Sequence, residues 1–149
     1  MKQTFFLHEP KITNIEKKKV LNCLNSGWIS PGGDYVKQFE KELTKFTKSR
    51  LVLTNSGTSS LHLSLILSGV KKNDEVLVPS ITFIASVNVI LYLGAFPIFF
   101  DTCKDCLNGD VSKILLFLKN QTYTSKKGTF NIKTKRRIRA LIFTHVFGN

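Results

Sequence analysis

The chain has 149 residues, a 42% hydrophobic content and a formal net charge of +12, enough apolar material to bury the core of one domain. No uninterrupted apolar run approaches the ~20 residues that span a bilayer, and the Met1 to Pro10 start is too short in apolar residues, and too soon acidic at Glu9, to read as a secretory signal. We therefore expect a cytoplasmic protein with no membrane partner. The positive charge raises nucleic acid as a partner class, but no basic helix, aromatic RNA-reading strand or zinc-finger spacing accompanies it.

In chain order, Thr13-x-x-Glu16 has the pattern of a capping box and predicts a helix from Asn14 to Asn25, ended by Ser26-Gly27. Ser30-Pro31-Gly32-Gly33 reads as a loop, and Val36, Phe39, Leu43 and Phe46 recur at helical steps. Leu51 to Leu53 predict a short strand. Asn55-Ser56-Gly57-Thr58-Ser59-Ser60-Leu61 then opens a helix that Gly69 stops. Asp74 to Pro79 read as a buried strand, Ser80 to Phe83 as a strand-to-helix turn, Ala85 to Leu93 as an apolar helix stopped by Gly94, and Phe96 to Asp101 as a third strand. Asp110 is the N-cap of a helix from Val111 to Leu118. A Lys/Thr/Gly-rich excursion follows, and Ile138 to Thr144 predict a last strand. Alternating strands and helices imply right-handed crossovers and an α/β fold, a mostly parallel sheet with helices on both faces.

The stretch from Asn55 to Leu61 carries the chemistry. A glycine at a helix start lets backbone approach an anion, the first N–H groups of the helix point at it, and Thr58, Ser59 and Ser60 add hydroxyl donors. Read alone, it reads first as an ordinary turn with an ordinary N-cap. Phe83, past the next strand, and Asp101, past the one after, would share the carboxyl edge of the sheet with this cup, where ligands bind in such folds. Asp101 reads first as a loop cap and His62 as a packing residue. His145, at the carboxyl end of the last strand, stays open between function and structure. Cys103-Lys104-Asp105-Cys106 has C-x-x-C spacing, but a zinc ribbon needs a second pair and a thioredoxin-like turn needs a helix opening at the second cysteine. Leu107-Asn108-Gly109 follows instead, so neither metal nor redox chemistry is expected. Seven lysines and arginines between residues 126 and 139 read as a solvated excursion, the alternative being a non-catalytic basic module that binds polyanions.

An ordered set of segments resembles the DegT/DnrJ/EryC1/StrS sugar aminotransferases, pyridoxal-phosphate enzymes of fold type I. It comprises Gly27-Trp28-Ile29-Ser30, Phe39-Glu40, Asn55-Ser56-Gly57-Thr58, Leu61-His62, Gly69-Val70, Asp74-Glu75-Val76, Pro79-Ser80-Ile81-Thr82-Phe83, Gly94-Ala95 and His145-Val146-Phe147-Gly148. The His8-Glu9-Pro10 start and the Arg136-Arg137-Ile138 lead-in to the last strand look most like the branch serving legionaminic acid synthesis. The resemblance implies pyridoxal phosphate as cofactor, with Gly57, Thr58 and Ser59 at its phosphate and Phe83 stacked on its pyridine ring. It also implies a nucleotide-linked 4-keto-6-deoxy sugar as substrate, bordered by Trp28 and Ile29 with His145 nearby, glutamate as amino donor, and a homodimer with its active site near the dimer interface.

The same resemblance leaves part of the machinery unassigned. Residues 1–149 correspond to the N-terminal part of the family's large domain, two helices over about 13–47 and then a βαβαβ run. The rest of that domain and the small C-terminal domain are expected beyond Asn149. So are the Schiff-base lysine and the aspartate that pairs with the pyridinium nitrogen, and no lysine here stands in a matching motif; on this reading the chain alone is inactive. A chain stopping just after a strand is expected to leave that strand without its covering helix, exposing apolar surface and unpaired edge groups. Two departures stand out: Lys48 replaces a helix-ending glycine, and Cys103 and Cys106 replace the acidic and threonine positions usual after the third strand.

Overall fold

A computed structural model describes residues 9–148. The Met1–His8 part of the start and Asn149 lie outside the described residues. The chain divides between Leu53 and Thr54 into two compact units.

The first unit holds helices α1 (Asn14–Ser26) and α2 (Asp34–Thr47). The capping box forms as its spacing requires: Ile15 N–H donates to Thr13 Oγ1 at 3.2 Å, and Thr13 N–H donates to Glu16 Oε2 at 2.7 Å. The Thr13 hydroxyl beside it holds the Glu16 carboxyl below its ordinary range. Lys48 ends α2 in the left-handed conformation, φ 53°, a position that costs a side chain about 1 kcal/mol relative to glycine. Leu51 to Leu53 do not form the predicted strand. A strand needs a ladder partner, and here the Leu53 N–H donates to the side chain of Glu40 at 3.2 Å instead.

The second unit is a mixed five-stranded sheet in the order β2-β1-β5-β4-β3. β1 (Glu75–Pro79) pairs in parallel with β2 (Phe96–Phe100) on one side and with β5 (Arg137–Leu141) on the other. Alternation along β1 divides the core. Val76 and Val78 pack under α3 (Gly57–Leu67) and α4 (Ala85–Tyr92) with Leu65, Val89 and Ile90. Leu77 faces the other way, against Phe100 and Ile114 of α5 (Val111–Gln121). Helices therefore cover both faces, the doubly wound arrangement that parallel strands demand.

The Lys/Thr/Gly-rich segment is not the solvated excursion that its composition suggests. It folds as a hairpin of β3 (Thr122–Ser125) and β4 (Gly128–Asn131), antiparallel to each other, and β4 pairs antiparallel with β5. Threonines and a cross-strand Tyr123–Phe130 stack, centroids 5.5 Å apart, make the arms good strands, while Lys126 and Lys127 are confined to the turn. In consequence β5 is not an unpaired last strand: it lies between β1 and β4, and the sheet edges are β2 and β3. Arg136 and Arg139 are taken into the same packing. The Arg136 guanidinium sits 3.6 Å from the centre of the Phe96 ring, and Arg139 Nε donates to the Ser68 carbonyl at 2.6 Å.

The hairpin is pinned to β1 by a buried polar cluster. Glu75, 2% exposed, accepts from Asn131 Nδ2 at 3.0 Å and from Thr134 Oγ1 at 2.6 Å. Asn131 Oδ1 in turn accepts from the Lys133 N–H at 2.9 Å. Because a buried acceptor that loses its donor bears its full desolvation penalty, Asn131→Ala should lower the unfolding free energy by about 1–3 kcal/mol. Thr124→Ala, on an exposed arm of the hairpin, should change it by less than about 0.5 kcal/mol. Urea denaturation of both variants checks the difference.

Candidate functional site

Chain connectivity places three helix and loop starts at one edge of the second unit. α4 leaves the carboxyl end of β1 through Ser80 to Ile84, and α3 ends where the chain turns toward the amino end of β1. At 1.5 Å per residue, the 11 residues of α3 run back about the length of the five-residue strand. Its first turn therefore reaches the carboxyl edge. A ring contact between His62 and Tyr92, centroids 5.9 Å apart, sets α3 against α4 and gives His62 the packing role expected of it.

The first turn of α3 is built by local hydroxyl chemistry. Ser56 is the N-cap, accepting from the Ser59 N–H at 3.1 Å, and the first helical bond runs from the Ser60 N–H to the Ser56 carbonyl at 3.1 Å. The N–H groups of Gly57 and Thr58 precede that bond, so they are the donors a helix start presents outward. The Ser59 hydroxyl donates to Asn55 Oδ1 at 2.7 Å, and Ser60 Oγ lies 2.5 Å from Thr54 Oγ1. Asn55 and Thr54 thus brace the turn from behind, a role that the sequence reading did not assign; the Asn-Ser-Gly-Thr pattern carried the signal. A Cβ placed on Gly57 meets no protein atom within 4 Å, and the residue does not have positive φ. Its hydrogen side faces open space, the approach that an anion needs.

Two further candidates occupy the same edge. Phe83 lies between β1 and α4 with its side chain 76% exposed, an unusual price for a large aromatic with no partner ring among the described contacts. His145 follows β5, exposed, with its ring 5.4 Å from that of Phe143. Thr82 and Thr144, each one residue before these two, are joined by their hydroxyls at 2.9 Å, which ties the β1–α4 loop to the chain leaving β5. Asp101 is not free to join them. Its carboxylate is bonded to the Lys113 ammonium and to the Thr102 N–H, at 2.9 Å for the latter, and the Lys113 contact holds it below the ordinary carboxylate range. This is the loop-capping role expected for it.

Trp28 and Ile29 belong to the first unit. They line a cleft of about 790 Å³ with Val20, Cys23, Leu24 and Tyr35. The Trp28 ring lies over Gly33, where an added Cβ would come within 2.6 Å of it. Among the described residues no group of three or more histidine, cysteine or acidic side chains is placed to hold a metal ion, and no helix is long and apolar enough to cross a membrane.

A mixed α/β sheet, parallel around β1, with an open helix start, an exposed aromatic and a histidine along its carboxyl edge fits the ligand-binding α/β class. The chain belongs to the DegT/DnrJ/EryC1/StrS aminotransferase family, which it matches over residues 10–149. It is 40% identical to the GDP-perosamine synthase of Escherichia coli O157:H7 over 117 residues, covering 78% of this chain and 32% of that protein. To the GDP-perosamine synthase of Vibrio cholerae it is 34% identical over 143 residues, covering 95% of this chain and 35% of that protein. Among solved structures, the PLP form of Spr1654 from Streptococcus pneumoniae superposes with a TM-score of 0.65 at 37% identity, covering 70% of this chain and 27% of that one. The chain thus spans about a third of the length of the curated relatives it matches. Pyridoxal phosphate is the cofactor that family membership and the PLP-bound neighbour indicate.

The open face of Gly57 separates folding from binding in a test. In a full-length version of the protein, Gly57→Val should leave the far-ultraviolet circular dichroism unchanged, since the new Cβ has space. It should weaken pyridoxal-phosphate binding by about tenfold or more, a loss of roughly 1.4 kcal/mol. Cofactor absorbance after dialysis measures it, and full retention would remove the phosphate assignment.

Proposed function

We propose that this chain is the cofactor-phosphate region of a pyridoxal-phosphate-dependent aminotransferase acting on a nucleotide-linked 4-keto-6-deoxy sugar, with glutamate as amino donor and a homodimer as the working form. The observation that carries the reading is the start of α3: two N–H groups ahead of the first helical bond, an open approach over Gly57, and a first turn braced by Asn55 and Thr54. These features fit a dianionic phosphate ester, which helix N–H groups and the helix dipole favour. The 40% identity to a GDP-perosamine synthase supports a nucleotide-sugar substrate.

In this reading Gly57 and Thr58 hold the phosphate through backbone N–H groups and Thr58 adds its hydroxyl, while Ser59 turns its hydroxyl proton from Asn55 Oδ1 to the phosphate on binding. Phe83 covers one face of the cofactor ring and shields it from water. Trp28 and Ile29 border the sugar nucleotide, and His145 stands at the edge where a proton can be held or passed. When bound, the cofactor supplies an electron sink for the carbon that exchanges its amino group. On this reading the lysine that would tether it and the acid that would keep its ring nitrogen protonated lie beyond Asn149, and the chain spans only about a third of the relatives' length. Arg136 and Arg137, which suggested the legionaminic branch, are engaged in packing: Arg136 lies on Phe96, and Arg137 runs against Gly128.

Purified residues 1–149, given pyridoxal phosphate, glutamate and a 4-keto sugar nucleotide, should form no amino sugar above the protein-free reaction. Mass analysis of the products decides this. Turnover clearly above that background would mean that the tethering lysine is dispensable, and the reading would be wrong. The polyanion-binding alternative is separable from this one. Lys126, Lys127, Lys133 and Lys135 are exposed, so neutralising all four should leave the fold intact and DNA retention nearly unchanged. A steep salt dependence of retention that disappears in the variant would favour the basic module instead.

A further inference from the structure

Cys103 and Cys106, free and half-buried, lie in the loop between β2 and α5. The loop is framed from both sides. Thr102 and Gly109 form an antiparallel bridge, the Asp110 N–H donates to the Asp101 carbonyl at 3.0 Å, and the Cys103 N–H donates to the Asn108 carbonyl at 2.8 Å. Buried Gly109 is wedged between two rings, with an added Cβ falling 2.5 Å from Phe100 and 2.7 Å from Phe143, so the base of the loop cannot slide. Inside this frame the Leu107 N–H donates to the Cys103 carbonyl at 3.1 Å, closing a single helical turn. Residues three apart on such a turn lie on the same side.

That turn sets the two thiols side by side, three residues apart. The neighbouring Cys106 side chain holds the Cys103 thiol below its ordinary range, and Cys103 in turn pushes the Cys106 thiol up. A thiol with a lowered range is more readily the thiolate, the form that attacks disulfides. Closing a disulfide draws the two Cβ atoms together by about 1–2 Å from helical spacing, and the intervening Lys104 and Asp105 are exposed and can yield to it. The absence of a helix after Cys106 excludes the thioredoxin-like arrangement, but exchange with a small disulfide requires only the paired thiols and access.

We propose that Cys103 and Cys106 form a thiol–disulfide exchange site for low-molecular-weight disulfides of the glutathione class. The Cys103 thiolate attacks one sulfur of the small disulfide, breaking its S–S bond and releasing one small thiolate, which takes up a proton. Cys106, losing its proton to solvent, then attacks the Cys103 sulfur of the mixed disulfide and displaces the second small thiol. The protein dithiol is oxidised by two electrons to one intramolecular disulfide, and the small disulfide is reduced to two thiols. The loop is fastened to the chain that follows His145, since Asn108 Oδ1 accepts from the Val146 N–H at 2.8 Å. Oxidation thus acts on the same edge as the candidate cofactor site without using any of its residues.

The test incubates the full chain with oxidised glutathione, quenches it by acid and alkylation, and maps the peptides by mass spectrometry. The expected product is a Cys103–Cys106 disulfide, lighter by two hydrogens and reversed by dithiothreitol, with Cys23 still alkylated. Cys106→Ser should accumulate a stable glutathione adduct on Cys103, and Cys103→Ser should react at Cys106 about tenfold more slowly or less. Stable adducts on both cysteines of the unaltered chain without ring closure, oxidation of Cys23 at an equal rate, or equal rates in the two serine variants would overturn the proposal.

Discussion

The structure of the second unit depends on the burial of β1 on both faces and along both edges. All five of its residues are buried, so every side chain must find a partner. The valines at 76 and 78 take α3 and α4, and Leu77 takes α5. The strand's own backbone is satisfied only because β2 and β5 flank it. A carboxyl group at the first position of such a strand is costly unless donors reach it. Glu75 obtains them from Asn131 and Thr134, which fixes where the hairpin lies and, through β4, where β5 lies.

The candidate site follows from that arrangement. With β1 in the centre, the loops after β1 and β5 emerge side by side, and the Thr82–Thr144 hydroxyl bond fastens them. Phe83 and His145 are positioned by that bond, one residue beyond it on each strand. The cup at the start of α3 is placed differently, by packing of Leu61 and Leu65 over the same core and by the Asn55 and Thr54 braces. Rigid elements therefore hold the donors while the groups facing a ligand stay open, the division of labour that binding sites on α/β sheets require.

Much of the helical framework was legible because its signals are local. The capping box at Thr13, the Asp110 cap of α5, whose side chain accepts from the Lys113 N–H at 3.1 Å, and the glycine stops at Gly69 and Gly94 need only neighbouring residues to act. The buried character of β1 was readable from its apolar residues Val76 to Pro79. Lys48 stands in a helix-ending glycine position by sequence and takes the left-handed conformation there. The capped start of α3 was legible for the same reason, since the Ser56 cap and Gly57 lie within a few residues of each other, whereas the Thr54 brace was not.

What the sequence alone determined is thus the order and type of most elements, the family and, with it, the cofactor. Only the tertiary structure decided which strands pair. Leu51 to Leu53 have strand-like side chains but no ladder partner, whereas the charged segment after α5 gains strand structure because Tyr123 stacks on Phe130 and β5 offers an edge. Arg136 and Arg139 read as solvated charge until Phe96 and the Ser68 carbonyl come within reach. The meeting of Cys103 with Cys106 was hidden for the same reason: the C-x-x-C spacing is silent about a turn whose frame is set by Phe100 and Phe143 on two different strand ends. Propensity and caps act over a few residues, but pairing partners lie tens of positions apart, and their free energy exists only once the chain has closed upon itself.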